Sequence, residues 1–295
     1  MSTVVDERAA PLAQEEDWRH QPSFWQRLTG NALCVTGMVL LTLVIVVATL
    51  APWMTPYDPL QIDAGSVRQL PSAAHWFGTD HLGRDIFARV AHGAGVSLRV
   101  GAVSLLMSLV LGVVVGAVAG MLGGWTDAVL MRLTDLSLAI PNLVAATALI
   151  TVIGRGETAV WLVLGMLGWM SVARILRASV MSVRHSDYVD AARLAGCSMH
   201  RLIWRHVLPN SIQPVIVFSF NLVGLAILAE ASLSFLGLGI EPPAPSWGLM
   251  VAESRSFLAS APHMILFPSA ALAITIAGFS FLGDGLRDVM DTRQL

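Results

Sequence analysis

The sequence predicts an all-α membrane protein with six transmembrane helices, on three observations. Hydrophobic residues make up 55% of the 295-residue chain and charged residues 13%, with a mean hydropathy of +0.68, whereas soluble domains carry about 25% charged residues. A hydrocarbon core about 30 Å thick takes roughly 20 apolar residues of helix. Windows of that kind can be drawn at 32–54, 97–122, 128–153, 158–176, 212–230 and 263–283.

Taken in order, residues 1–31 form a tail in which Asp6, Glu7, Glu15, Glu16 and Asp17 outnumber three arginines. Such a start lacks the basic region of a secretory signal, and the apolar run behind it is long enough to span. The run at 32–54 therefore reads as an uncleaved first helix, followed by an extracytoplasmic segment over 55–96 and a membrane core over 97–283. The second window places Gly112, Gly116 and Gly120 on one face at four-residue spacing, where a neighbouring backbone can approach closely. This reads as a packing seam, with sliding during transport as the functional alternative. Arg132 and Asp135, three apart in the third window, can neutralise each other. Glu230 lies near the outer end of the fifth window, where water or a helix end can satisfy it. An extracytoplasmic loop over 231–262 joins it to the last span, and residues 284–295 form a second tail.

All 18 basic residues are arginine. Without a lysine the chain cannot form a P-loop, whose lysine must reach the nucleotide phosphates. Nothing resembles a basic nucleic-acid-binding face, and no nucleophile with a plausible base and no His-Glu-x-x-His pattern suggests catalysis. Arg174, Arg177, Arg184, Arg193, Arg201 and Arg205 cluster around the polar interruption at 186–210, which the positive-inside tendency places in the cytoplasm, and six spans then put both termini there too. Arg68, Arg84, Arg89 and Arg99 on or near the first outside segment run against that bias. Cys34 and Cys197 fall on or near the cytoplasmic side and read as reduced thiols.

The interruption, SDYVDAARLAGCSMHRLIWRHVLPN, has the pattern of two short helices hinged at Gly196. Ser186 or Asp187 can cap the first, with Tyr188, Ala191, Ala192 and Ala195 on one side. Ser198 can cap the second, with Met199, Leu202, Ile203 and His206 on one face, Arg201 and Arg205 solvated, and Pro209 as the stop. Helices under three turns are marginal in water, so both need docking against the bundle or another protein.

Asp190-Ala191-Ala192, Gly196 and Leu208-Pro209 match the spacing of the EAA loop of ABC importer permeases, with Asp190 in place of the usual Glu and His206 where many families have Ile. HWFGTDHLGRDIFAR at 75–89, EASLSFLGLGIEPPAPSWGLM at 230–250 and GDGLRDVMD at 283–291 are similar to hallmark sequences of the dipeptide, oligopeptide and nickel permeases, closest to their C-type subunit. The likeness covers nearly the whole chain. It implies a type I importer permease fold and a cytoplasmic coupling-helix loop at 186–210. It also implies a prokaryotic inner-membrane location and a non-catalytic subunit translocating small peptides. Its partners would be a second, B-type permease subunit, two ATPase subunits or domains that bind the ATP and magnesium, an extracytoplasmic solute-binding protein and membrane lipid.

The resemblance assigns coupling to Asp190, Ala191, Ala192, Gly196, Leu208 and Pro209, with Arg193 and Arg205 as charged contacts. In the outer motif, Gly78 and Gly83 fit turns that Asp80, Arg84 and Asp85 can pair or cap across. The same family leaves nickel, haem-type and metal-chelate substrates open. His75, His81 and His92 lack the spacing of a compact ligand set, so no residue is assigned to a metal. A self-contained channel or secondary transporter is the reading from another class. It would need intramembrane ionisable relays or matched broken helices, and Glu230, Arg132 and Asp135 are too scattered to form a relay.

Overall fold

A computed structural model describes residues 23–290; the acidic stretch Asp6–Asp17 and the last five residues lie outside them. Among the described residues the chain is helical, without a strand ladder. A short helix, α1 (Phe24–Gly30), leads into α2 (Ala32–Met54), which Asn31 caps by accepting from the Cys34 N–H at 3.0 Å. An irregular outer segment then reaches α3 (Ile86–Leu122). This helix begins eleven residues before the apolar window that predicted it, because the Asp85 side chain accepts from the Ala88 N–H at 2.7 Å and fixes its start. At 37 residues it runs for about 55 Å, well beyond the hydrocarbon thickness. The expected segment over 55–96 is thus irregular only to Asp85.

The third predicted span is broken. In its place stand α4 (Gly124–Leu138) and α5 (Asn142–Ile153), bent by 88° at a short break. Pro141 causes the break: it cannot donate an N–H, and it drives Ile140 away from helical conformation. Among the described residues, five helices are long and apolar enough to cross a membrane, or six if the bent pair is one span. α6 (Glu157–Val183) extends seven residues past its predicted end, into the arginine-bearing region. After the polar interruption come α10 (Gln213–Phe235), α11 (Trp247–Ser254) in the following loop, and α12 (His263–Met290), which continues seven residues past the predicted span.

Three apolar clusters hold the bundle. Val96, Val100, Ile150, Val163 and Leu233 join α3, α5, α6 and α10. Val44, Ile86, Val90, Trp247 and Met264 join α2 and α3 to the outer loop and α12. Met121, Val172, Leu176, Val180 and Val215 meet Val189, Leu202 and Val207 of the interruption. The pairing of α3 with α6 is close because Gly112, Gly116 and Gly120 all face α6: a Cβ on Gly116 would lie 2.6 Å from the Ala173 carbonyl oxygen, and one on Gly112 2.5 Å from the Val172 Cβ. Ser104 and Ser108 add hydroxyl bonds at 3.1 Å to the Trp161 and Gly165 carbonyls. Asp135 pairs not with Arg132 but with Arg174 of α6 at 2.6 Å, and Asp127 takes Arg177 in a two-pronged pair. These bonds lay α4 across the inner half of α6.

Candidate functional site: the polar segment at 186–210

The interruption forms α7 (Asp187–Leu194), a turn at Gly196, and α8 (Met199–Leu202). A π turn over Ile203–Val207 follows, and then α9 (Leu208–Ser211). Ser186 and Ser198 occupy the positions before each helix, although neither side chain bonds a first-turn N–H. Asp187 and Asp190 in the first turn of α7, and Arg193 in its last, suit the helix dipole at both ends.

The turn is a Schellman motif. The Gly196 N–H donates to the Arg193 carbonyl at 3.0 Å and the Cys197 N–H to the Ala192 carbonyl at 3.1 Å. Gly196 has φ +78°, a left-handed conformation, and open space where a Cβ would stand. Backbone conformation, not crowding, is what requires glycine here.

Pro209 does not end the second helix. The widened turn before it lets the Leu208 N–H reach back five residues to the Ile203 carbonyl. The slack accommodates a ring that would otherwise clash with the carbonyl four residues earlier. The backbone thus passes through Leu208 and Pro209 almost directly into α10.

The first helix keeps the side read in the sequence, whereas the face read for the second is split, with Leu202 buried and Met199 exposed. Val189, Leu202 and Val207 are buried against Leu176 and Val180 of α6 and Val215 of α10, with Ile203 and Leu208 packed beside them. Tyr188, Asp190, Ala191, Ala195 and Met199 point outward, and Ala192 sits at the boundary. Leu194 is 91% exposed and Trp204 60%, large values for apolar side chains on a segment seated on its own bundle. Asp190 and Arg193 bond each other at 2.9 Å across one helical turn, while Arg205 is exposed with no ion pair among the described residues. The result is a small, mixed apolar and charged surface. Both cysteines are free thiols, Cys34 buried and Cys197 partly so.

At the other end of the molecule the outer motif forms a buried ionic knot. Gly78 and Gly83 have φ +76° and +78°, and a Cβ on Gly83 would collide with the Asp63 carbonyl. Asp80 accepts from the Leu82 and Arg84 N–H groups and from Arg84 Nε at 2.6 Å. Arg84 also bonds Glu253 at 2.9 Å, Arg89 bonds it at 3.4 Å, and Asp85 takes His75 Nδ1 at 2.8 Å. Nearby, the Ser66 hydroxyl and Gly65 N–H hold the Asp63 carboxyl below the usual range. Glu253 is the member that sequence reasoning missed, since it lies 164 residues from Arg89 and its outer-loop context has no distinctive spacing. Asp80, His81 and Glu253 bring potential ligand atoms within 4.8 Å of one another, but Arg84 and Arg89 already pair with both carboxylates and would repel a cation.

Residues 112–295 match the family described as "Binding-protein-dependent transport system inner membrane component", and residues 23–71 match the "N-terminal TM domain of oligopeptide transport permease C". A protein named glutathione transport system permease protein GsiD from Shigella flexneri serotype 5b is 39% identical over 289 residues, covering 97% of this chain and 95% of that one. A protein of the same name from Pectobacterium atrosepticum is 37% identical, covering 94% and 91%. In fold, the chain is similar to a structure titled as inward-facing conformations of the MetNI methionine ABC transporter. The TM-score is 0.57 at 16% identity, covering 68% of this chain and 96% of that one. The chain belongs to the family of binding-protein-dependent inner membrane components: it is a non-catalytic, multi-pass permease subunit of an ABC importer, related to the dipeptide and oligopeptide permeases.

Proposed function

We propose that this permease carries small peptides inward, with glutathione, a tripeptide, as the first substrate to test. The observation that carries this reading is the likeness, over nearly the full length of both chains, to permeases named for glutathione. The coupling scheme rests on the surface of α7 and α8. Val189, Leu202 and Val207 root the segment in the bundle, and Ala191, Leu194, Met199 and Trp204 face outward beside the Asp190–Arg193 pair. In this scheme an ATPase grips that outward face and closes on ATP, dragging the segment and with it α6 and α10. The bundle then opens to a solute-loaded binding protein outside, and hydrolysis resets it.

Asp190, Ala191, Ala192 and Gly196 form the docking surface, Arg193 and Arg205 its charged margin, and Leu208 and Pro209 the exit into α10. Both termini lie in the cytoplasm. A B-type permease subunit supplies the other half of the pathway, and two ATPase subunits bind ATP and magnesium. The test is uptake by a strain lacking this chain, supplied in turn with labelled glutathione, dipeptide, longer peptide and nickel. Loss of glutathione or peptide uptake, restored by the gene, is the expected result; loss of nickel uptake alone overturns the peptide reading.

A further inference from the structure

The coupling scheme leaves one motif without a task, the outer segment from Glu230 to Met250, and the structure shows how tightly it is built. Glu230, at the outer end of α10, is fully buried. Its Oε1 accepts from the Ser234 hydroxyl at 2.8 Å and from the Ser246 hydroxyl at 2.7 Å. Neither serine is used only once. Ser234 Oγ also accepts from the Ile240 N–H at 3.2 Å, and Ser246 Oγ caps α11 by accepting from the Leu249 N–H. The hydroxyl of Ser97, on α3, faces the same carboxyl. Ser97 Oγ and Glu230 Oε2 are both buried, and neither has a hydrogen-bond partner among the described residues. Two hydroxyls, one from α10 and one from the outer loop, thus bond one side chain, and a third, on α3, lies beside it without a bond.

The loop around this point has been brought as close as backbone allows. Gly237 turns the chain at φ +77°. Gly239 lies directly on Ser234, and a Cβ on Gly248 would stand 2.5 Å from the Ala231 Cα. α11 is pinned elsewhere too. Trp247 donates its indole N–H to the Val90 carbonyl at 2.9 Å, and Glu253 at the far end takes Arg84 and Arg89. Each pin joins α11 to α3 or to the segment before it. Among the described residues, Glu230 alone joins it by a side-chain bond to α10, the span into which the coupling segment runs.

We propose that Glu230 is a positioning residue for the transport cycle: it seats α11 on the outer ends of α3 and α10, so that a binding protein pressing on the outer loop displaces both spans together. The proposal rests on the reading of this face as the one that meets the binding protein. A buried carboxyl is costly unless it is hydrogen-bonded, so the Ser234 and Ser246 bonds to Oε1 hold the loop in one place rather than letting it slide. Severing the node should uncouple the outer loop from α10 while leaving the ionic knot and the coupling segment intact.

The experiment uses the assembled importer in lipid vesicles, with ATP hydrolysis read alone and with saturating solute-loaded binding protein. Glu230→Gln keeps a carbonyl for Ser234 and Ser246 and offers an N–H to Ser97, and should leave stimulation near that of the wild type. Glu230→Ala should assemble with an unchanged basal rate and lose about tenfold in stimulation, the scale of lost hydrogen bonds to a buried group. Ser246→Ala removes one donor, spares the carboxyl and should lose about threefold, which gives a reading even where the alanine variant assembles poorly. Full stimulation in Glu230→Ala, or basal and stimulated rates falling in step in both deletions, overturns the proposal. So does a glutamine variant as impaired as alanine. A wild-type complex that answers only a binding protein carrying a non-peptide solute refutes the peptide reading, while the ratios among variants still decide the role of Glu230.

Discussion

Gly196 offers a test in which two causes of failure separate cleanly. Its φ of +78° would place an L residue in left-handed backbone, while no atom lies within 4 Å of an added Cβ. A non-glycine residue there costs about 1–2 kcal/mol, and asparagine, which tolerates the left-handed region, costs less. Since nothing crowds the site, alanine and leucine should cost the same within the isolated permease. Two kilocalories is roughly a thirtyfold shift between the seated and unseated turn. The Schellman bonds from Gly196 and Cys197 would be the ones to open. The assay is peptide uptake alongside ATP hydrolysis in the reconstituted complex, with membrane amounts of the permease measured for each variant. Uptake should fall in the order Gly, Asn, then Ala and Leu together, with the protein still in the membrane and hydrolysis proceeding uncoupled. A loss that instead scales with side-chain volume, Asn and Leu failing alike while Ala survives, would refute the backbone argument and show that a partner sits on the Gly196 surface itself.

Gly116→Leu should cost about 1–3 kcal/mol by overpacking, because its Cβ would meet the Ala173 carbonyl at 2.6 Å; Gly95→Ala, nearest to Arg99 at 3.8 Å, should leave the thermal midpoint of the purified complex unmoved. Gly83→Ala combines φ +78° with a clash on the Asp63 carbonyl and should expose the outer segment to protease in whole cells. A membrane-impermeant maleimide should label Cys197 in inside-out vesicles and not in intact cells, with Cys34 protected in both by burial; labelling of Cys197 from outside would reverse the proposed topology. A double-mutant cycle on thermal unfolding should give Asp127–Arg177, partly buried, about 1 kcal/mol or more of coupling, and the exposed Asp190–Arg193 pair about 0.5 kcal/mol or less.

The spans were readable because a bilayer demands long apolar runs, and Ala32–Met54 and Gln213–Phe235 lie within a few residues of their windows. Hydropathy is blind to what extends a helix into water. Asp85 starts α3 through a side-chain bond, α6 continues past its window through Arg177, which pairs with Asp127, and α12 through Asp284, Arg287 and Asp288. The window at 128–153 stayed apolar across Pro141, so composition registered one span where backbone geometry makes two pieces. In the polar segment, the turn at Gly196 and the place of Ser186 just before α7 were legible, although Ser186 makes no capping bond. The segment's buried face was not: Val189 is the anchor, and a helix of eight residues is too short for periodicity to say which stripe faces home. Partners far apart in sequence, such as Arg89 and Glu253 or Asp135 and Arg174, leave no local trace. That is why a neighbouring Arg132 was the natural expectation for Asp135.

The 37 uninterrupted residues of α3 impose a rule of arithmetic on the chain. The outer knot, with Arg89 and the Val90 carbonyl, and the inner glycine row from Gly112 to Gly120 are read off one rigid screw. Inserting or deleting a single residue between them would turn one end about 100° against the other and shift it about 1.5 Å. The glycines would then face away from α6, or Arg89 away from Glu253. Substitutions along the exposed flank, at Leu106, Val110 or Val114, leave that angle untouched. The spacing from Arg89 to Gly112 should therefore tolerate changes of letter and refuse changes of length.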